Sequence, residues 1–517
     1  MQAALVAAGI LLSRLLGLVR ESLKARYLGA SGSIVADAFN AAFRIPNLLQ
    51  NLFGEGALSA SFIPVYANLL ARGDRKEADR VAGAVGTLLG LVTAALVLLG
   101  VVSAPFLVDV IARGFEGERR DLTIRLIRIL FPGAALFVYS AWCLGILNSH
   151  RRFFLSYAAP VAWNGAMIAA LVAYRGEMPD VIAIRLAWAS VAGAALQMLI
   201  QLPTVLSVAN TMRVALARTD VNVRQVVRNF VPAFFSRGVV QINAYVDQLI
   251  ASFLPIGAVS HLFYAQTITL LPISLFGMSI SAAALPDMSS STGDAAATAT
   301  HVRDRLQDGL RRMAFFVVPS AVAFLMLGDV IASALYQHGR FTATDTMYVW
   351  GILAAAAIGL MASTMGRLYS SAFYALRDTR TPLRFALVRV SLAAGGGWLF
   401  AMQAPTWLGI GREWGTAALT LSSAIAGWVE FMLLRHKLGA VVGATGIETR
   451  RLLVLWAAAL ASGAVAYGIK MSTAGAPQMV GAAAVLGAFG VSYFALTAAL
   501  GVETSTATLK RLRQLIP

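Results

Sequence analysis

The sequence predicts an all-α polytopic membrane protein with about 14 transmembrane helices: two six-helix lobes around a central cavity, plus two C-terminal helices. Three observations carry this expectation. The 517 residues are 58% hydrophobic and 13% charged, with a mean hydropathy of +0.72, more apolar sequence than a soluble core needs. Apolar runs of about 20 residues, the length that crosses a bilayer, follow one another along the whole chain and leave no long polar stretch for a separate domain. Short signatures also recur at a fixed spacing, as a duplicated bundle would leave them.

Candidate spans lie near 3–28, 33–70, 78–112, 121–148, 152–174, 181–209, 223–254, 257–288, 305–336, 343–376, 382–403, 413–438, 450–470 and 477–501. The second is long and broken. Pro46, Pro64, Pro132, Pro232, Pro272 and Pro286 lie in or near spans, where prolines are tolerated and mark kinks.

The first two spans carry charges where a membrane helix should have none. In AALVAAGILLSRLLGLVRESLKARYLG, Ser13, Arg14, Gly17, Arg20, Glu21 and Lys24 fall within an arc of roughly 120° at 100° per residue. In the second, Asp37, Asn40, Arg44, Asn47, Asn51 and Glu55 fall within roughly 80° if the helix continues past Pro46. A charge at bilayer depth costs at least ~2.5 kcal/mol, so both stripes are expected to face a water-filled cavity. The excess of bases over acids suits that cavity to an anion. The first run, interrupted by Arg14 and Arg20, is expected to stay as an amphipathic span rather than act as a cleavable leader.

Ser13-Arg14 recurs as Ser236-Arg237, an offset of 223, and Phe53-Gly54 recurs as Phe276-Gly277 at the same offset. Ser59-Ala60 and Pro64 recur one residue short, as Ser281-Ala282 and Pro286. An even number of spans per repeat gives both halves the same topology, the parallel-repeat plan of transporters with the site between the halves. The expected division is 1–212, 213–445, and 446–517 for the last two helices and a basic tail. The repeat is chemically uneven. Arg20 corresponds to Asn243 and Lys24 to Asp247, and the eighth span offers the neutral Gln266, Thr267 and Thr269.

The net charge of +17 is read as the positive-inside signature rather than as a nucleic-acid patch. Loops carrying Arg72–Arg80, Arg151-Arg152, Arg213–Arg228, Arg303–Arg312, Arg377–Arg384 and Arg435–Arg451 alternate with poorer ones around Arg113–Arg120, Arg175, Arg340, Arg412 and Lys470. The rich set is cytoplasmic, which places both termini inside and the basic end 509–517 on anionic headgroups. A single cysteine, Cys143, excludes an intramolecular disulfide, and five histidines lie scattered. No phosphate-binding glycine loop ending in Lys and Ser or Thr occurs, so ATP hydrolysis is not expected. The acids are dispersed with no Asp-x-Asp pair, which argues against an enzyme built on a carboxylate or metal cluster. No cofactor and no metal site is expected.

At SRLLGLVRESLKARYLGAS, DAFNAAFRIPNLL and LFGEGALSASFIPVY, and again at LPISLFGMSIS and FYALRDTRTP, the chain resembles the MurJ (MviN) family of bacterial lipid II flippases, within the multidrug/oligosaccharidyl-lipid/polysaccharide exporter superfamily. The resemblance extends over essentially the whole chain. It implies a fourteen-helix fold, with the last two helices forming a groove for a polyprenyl tail. It also implies transfer of undecaprenyl-pyrophosphoryl-disaccharide-pentapeptide to the outer leaflet of the cytoplasmic membrane by alternating access. The partners implied are lipid II and membrane lipids, with no nucleic acid, for a chain working as a monomer. Family cavity positions map onto Arg14, Arg20, Asp37, Arg44 and Glu55, with Asn47 beside them. Two family arginines are replaced: the one after PNLL is Gln50, and the one in the eighth span is Thr267, with Gln266 in place of an aspartate. Arg44 and Arg237 are the candidates to cover them. The other readings are a flippase for a different polyprenyl-pyrophosphate oligosaccharide and a small-molecule antiporter of the same superfamily.

Each residue has a plainer reading. Arg14 and Arg20 either grip a diphosphate through their planar forks or pair structurally with Glu21, Asp37 or Glu55. Asp37 and Glu55 either gate the cavity or balance Arg44 and Arg14. Glu21, Lys24 and Asp247 are grouped as gate or charge-balance residues, and Lys24 and Arg26 lie near enough to a helix end to snorkel. Phe53-Gly54-Glu55-Gly56 reads as a hinge, since glycine permits backbone changes other residues resist.

Overall fold

The structure, a computed structural model, describes the backbone of residues 2–216, 220–290, 294–473 and 475–506, and within these it leaves out the side chains of 2–8, 10, 46, 54–56, 235–240 and 295. The side chains of Glu55 and Arg237 and the basic end 509–517 therefore lie outside the described residues.

Every regular element among the described residues is helical. In chain order these are α1 (Gln2–Leu28), α2 (Ile34–Leu49), a π-helical stretch Gln50–Leu58, α3 (Ser59–Ala71), α4 (Arg75–Val102), α5 (Ala104–Ile111), α6 (Gly117–Ser149), α7 (Phe153–Ala173), α8 (Pro179–Val208) and α9 (Val221–Ser252). Then come α10 (Ala258–Pro272), a second π-helical stretch Ile273–Met278, α11 (Ser279–Ser289), α12 (Ala295–Tyr336), α13 (Ala343–Ala375) and α14 (Arg380–Trp407). A short 3₁₀ turn (Arg412–Trp414), α15 (Gly415–Val442), α16 (Thr449–Ser472) and α17 (Gln478–Ala499) complete the chain. Eleven helical segments among the described residues are long and apolar enough to cross a membrane: α4, α6, α7, α8, α10–α11, α12, α13, α14, α15 with its preceding turn, α16 and α17. The other expected spans, α1, α2–α3 and α9, are helical and carry the charges that set them apart.

The repeat is visible in the backbone. The two π-helical stretches begin at Gln50 and Ile273, the same 223-residue offset as the sequence signature, and each contains its Phe-Gly pair. Wide turns of this kind occur mostly as single-turn bulges inside α-helices and are frequent at functional sites. A second recurrence was not legible in the sequence. Arg151 (φ 59°) and Arg377 (φ 62°) both take the left-handed conformation just beyond α6 and α13. The following N–H groups of Arg152 and Asp378 reach back to Leu147 O (2.8 Å) and Phe373 O (2.9 Å). Glycine is usual in such a cap. Here the position is taken by arginine, a cationic residue type favoured near a helix C-terminus.

Helix starts follow their capping residues. Asp74 accepts from Glu77 N at α4 (3.3 Å), Asp294 from Ala297 N at α12 (2.7 Å), and Asp220 from Asn222 N and Val223 N at α9 (2.7 and 3.2 Å). Thr342 and Asp345 form a reciprocal capping box at α13.

Contacts divide the chain into two compact units, residues 1–260 with 338–341, and residues 261–337 with 342–517. In the first unit, α6 is central and packs on α2, α4 and α8, while α7 lies between α1 and α8. Its core joins Phe62, Tyr66, Trp142 and Val226. Gly86 and Gly100 of α4 let the Trp142 and Phe131 rings approach where a Cβ would collide. α9 belongs to the second sequence repeat, yet it packs with this unit, on α3, α4, α5 and the first π-helical stretch. Phe53 of that stretch meets Phe230 and Phe234 of α9 at 5.6 and 5.1 Å between ring centres. In the second unit, α13 packs between α12 and α15, α14 lies on α15, and the α16–α17 pair docks on α12. That docking is tied by Lys470 Nζ to Asp329 Oδ2 (2.5 Å) and by Tyr493, whose hydroxyl donates to Phe315 O (2.7 Å).

Candidate functional site

The site is built in the first unit, chiefly from α1 and α2. On α1, Arg20, Glu21 and Lys24 stand within one turn and are all buried. Glu21 Oε1 accepts from Arg20 Nε (3.1 Å) and Nη2 (2.7 Å), and its other oxygen pairs with Lys24. Arg20 Nη1 donates to Asn164 Oδ1 on α7 (3.0 Å), and the guanidinium lies 4.5 Å from the Trp163 ring. The Lys24 ammonium sits 5.8 and 6.0 Å from the Phe39 and Phe43 rings of α2. With all three groups ionised, the cluster carries one excess positive charge in an aromatic cage.

The expected cavity-facing stripe of α1 thus turns toward protein over its second half. The reason is α7, which supplies a stacking face in Trp163 and an acceptor in Asn164, and Asn164 Nδ2 also donates to Ser13 O (3.4 Å). Toward the other end of the stripe Arg14 is exposed, as are the apolar Leu11, Leu12, Leu15 and Val19 around it.

The α2 stripe is buried as well. Asp37 is fully enclosed. Its Oδ1 accepts from Ser260 N (2.9 Å) and Ser260 Oγ (2.8 Å), and its Oδ2 from Gly257 N (2.8 Å) and Arg119 Nη1 (3.4 Å). Asn40 Nδ2 donates to Ser260 Oγ (3.1 Å). Arg44 turns to α9, donating Nη1 to Ala244 O (2.6 Å), while the Tyr245 hydroxyl donates to Arg44 O (3.0 Å). Asn243 Nδ2 donates to Asp247 Oδ2 (3.2 Å) on the same helix. Asn47 and Gln50 are half-buried just before and at the π-helical stretch. In the second unit, Thr267 donates its hydroxyl to Phe263 O (3.0 Å).

The structure therefore gathers Arg20, Glu21 and Lys24 into one cluster, sets Asp37 in a second, and exposes Arg14 toward the other end of α1. Trp163, Asn164, Arg119, Ser260 and Tyr245 were not singled out from sequence, because each joins its partner across 80 residues or more and no local spacing signals such pairs. In the second unit, Arg389 Nη1 pairs with Glu430 (3.1 Å), and His261 Nε2 lies 2.9 Å from Asp345 Oδ1. Among the described residues, no three of His, Cys, Asp and Glu converge as a metal-ligand set. The buried guanidinium and ammonium groups suit binding and positioning of an anion.

A family model described as "Lipid II flippase MurJ" matches residues 24–484. The chain belongs to the MurJ lipid II flippase family. The match begins at Lys24, so membership does not rest on Arg14 or Arg20. The chain is 33% identical to "Lipid II flippase MurJ" of Burkholderia cenocepacia over 431 residues, 82% of this chain and 80% of that one. It is 32% identical to "Probable lipid II flippase MurJ" of Rhizobium tropici over 469 residues, 88% of this chain and 84% of that one. The fold matches a solved MurJ described as an inward closed conformation, with TM-score 0.77 and 23% identity over 96% of this chain and 98% of that one. A multidrug resistance MATE family transporter of the MOP superfamily, in an inward-facing conformation, matches with TM-score 0.66 and 17% identity over 83% of this chain and 95% of that one. Like its MurJ relatives, the chain is a multi-pass membrane protein of a transporter family.

Proposed function

We propose that this chain is a lipid II flippase, moving the undecaprenyl-pyrophosphate-linked peptidoglycan precursor from the inner to the outer leaflet of the bacterial cytoplasmic membrane. The observation that carries the proposal is a net-positive, aromatic-lined cluster inside a membrane bundle, in a chain whose relatives of matching length are named for that activity. The anchor is the pyrophosphate, the one multiply charged group of the substrate. Arg14 is exposed to meet it first. Arg20 and Lys24 hold a positive field behind it, and Glu21 pairs with both. Arg44, with Asn47 and Gln50 a turn beyond, completes the polar path along α2 toward Glu55. Arg237 takes the part of a second-repeat guanidinium. Loop charge supports a cytoplasmic-membrane orientation with both termini inside.

The test is complementation of a strain depleted of its own lipid II flippase. It is paired with purified protein in proteoliposomes, where labelled lipid II exposed on each leaflet is counted. Growth rescue together with protein-dependent transfer supports the reading. Transfer of a different polyprenyl-pyrophosphate glycan but not lipid II would move the assignment to that substrate.

A further inference from the structure

We propose that the outer flank of the first unit carries a separate site for a glycerophospholipid headgroup, formed by Arg125 and Arg128 of α6 with Asp121 and Trp188. A crevice of about 610 Å³ opens there between α5, α6 and α8. Asp121, Arg125 and Arg128 stand three and four residues apart, on one exposed face of α6. Arg125 has no ion pair or hydrogen bond among the described residues. Arg128, itself exposed, donates Nε to Val101 O (3.3 Å), one of the last carbonyls of α4, and the two terminal nitrogens of its fork make no hydrogen bond among the described residues. α5 is held over the crevice by Arg120, whose Nε and Nη2 donate to Asp109 at 3.1 and 3.3 Å.

Depth and surroundings identify the occupant as a lipid. α6 has 33 residues, about 50 Å against a hydrocarbon core of about 30 Å, so a centred helix puts Arg125 and Arg128 about 3 and 7.5 Å inside the boundary. Guanidiniums at that level reach the headgroups along their own stems. The elements beside the crevice expose Val102, Phe106 and Val110 on one side and Trp188, Leu196 and Leu199 on the other, a surface that only acyl chains solvate. Tryptophan is enriched at this interface. By loop charge, this end is the outer one. Two forks and one carboxylate leave one net positive charge, which matches a phosphodiester monoanion better than a diphosphate. Asp121 then accepts from the ammonium or hydroxyl of the headgroup, a bond that choline cannot donate. The site is distinct from the α1–α2 cluster, and its test does not depend on transport.

The test is native mass spectrometry of the purified full chain, titrated with phosphatidylethanolamine, phosphatidylglycerol and phosphatidylcholine of one acyl composition. Wild type is expected to hold the first two at a saturable site that Arg125→Gln weakens and Arg125→Gln/Arg128→Gln weakens by about tenfold or more. Phosphatidylcholine, which keeps the phosphodiester but offers Asp121 no donor, is expected to bind more weakly than either. Arg125 is exposed and makes no ion pair or hydrogen bond among the described residues, so its single substitution is expected to leave folding intact and keeps the test usable if the double variant misfolds. Equal lipid retention by wild type and Arg125→Gln overturns the proposal. Displacement of the bound lipid by excess inorganic phosphate overturns the lipid assignment in favour of a free-anion site.

Discussion

Asp37 and Ser260 occupy the same position in the two sequence repeats, 223 residues apart, and are directly bonded: Ser260 gives both its N–H and its hydroxyl to Asp37 Oδ1, at 2.9 and 2.8 Å. One copy of the motif supplies a carboxylate and the other supplies donors at the first turn of α10. A helix N-terminus is where an anion is best placed. The duplication has thus diverged into a lock with two unlike halves.

Removing the acceptor should therefore be more damaging than removing its donor. Asp37→Ala strands Gly257 N, Ser260 N and Arg119 in a buried setting, and is expected to cost about 3–5 kcal/mol, as loss of one partner from a buried ion pair does. Ser260→Ala removes one hydroxyl donor and is expected to cost about 1 kcal/mol. Thermal unfolding of both variants in detergent measures the difference. Equal destabilisation would show that the carboxylate is not the centre of the lock.

The Arg20–Glu21–Lys24 cluster predicts a compensation. Glu21→Gln leaves two buried cations facing each other, so it should destabilise by about 2–4 kcal/mol. Adding Lys24→Met removes the unpaired ammonium and should recover at least half of that loss. The double-mutant cycle is the measurement, and a coupling under about 0.5 kcal/mol would mean that the three charges act independently.

Arg20 itself separates charge from shape. Arg20→Lys keeps the charge but loses the bonds to Asn164 and the plane that stacks on Trp163, so transport should fall while insertion is kept. Arg20→Glu should abolish complementation at normal abundance. Full growth from Arg20→Glu would remove this residue from the proposed anion path.

How much of this was legible follows from the range of each interaction. Patterns written locally were readable: the apolar runs, the charges of α1 and α2, and the Phe-Gly pair that marks each π-helical stretch. The hydrophobic count could not say which way a polar stripe turns. Gly17, Glu21 and Lys24 share a helix face with Arg14 by spacing alone, but Trp163 and Asn164 on α7 decide that the inner part of the stripe is covered. Asp37 looked like a counter-charge for Arg44, seven residues on. Its partner is Arg119, because the N-terminal ends of α2, α6 and α10 converge there.

Outside the membrane-spanning segments, Asp378 links pH to the α13–α14 turn. The Thr381 hydroxyl donates to it at 2.6 Å, and the Thr381 and Arg380 N–H groups at 3.0 Å each. The Thr381 hydroxyl bond, then these backbone bonds, hold its carboxyl below the usual carboxylate range. The lowered value means that its stabilising effect is present above the unfolded carboxyl range and is lost as pH falls through the folded value. Asp378→Asn should therefore lower stability at neutral pH, leave it little changed well below about pH 4, and so flatten the acid limb of a melting-temperature profile. An unchanged acid limb would exclude this turn as a contributor.

Thr267 tests the departure from the family pattern. Its hydroxyl is satisfied by Phe263 O within its own helix turn, so the half-buried side chain holds no tertiary hydrogen bond that a longer one would break. Thr267→Arg, which restores the residue the resemblance places there, should be tolerated, with Gln266 beside it to hydrogen-bond the new guanidinium. The informative comparison is lipid II binding and growth for wild type, Thr267→Arg, Arg237→Ala and the double variant. If Arg237 has taken over the second-repeat contact, Arg237→Ala should weaken binding by about tenfold, the worth of one charged hydrogen bond. Thr267→Arg should then recover part of that loss, as a positive coupling in the cycle. If Arg237→Ala leaves binding and growth untouched, the diphosphate is held by the α1–α2 cations alone, and Gln50 and Thr267 mark two family contacts that this chain does without.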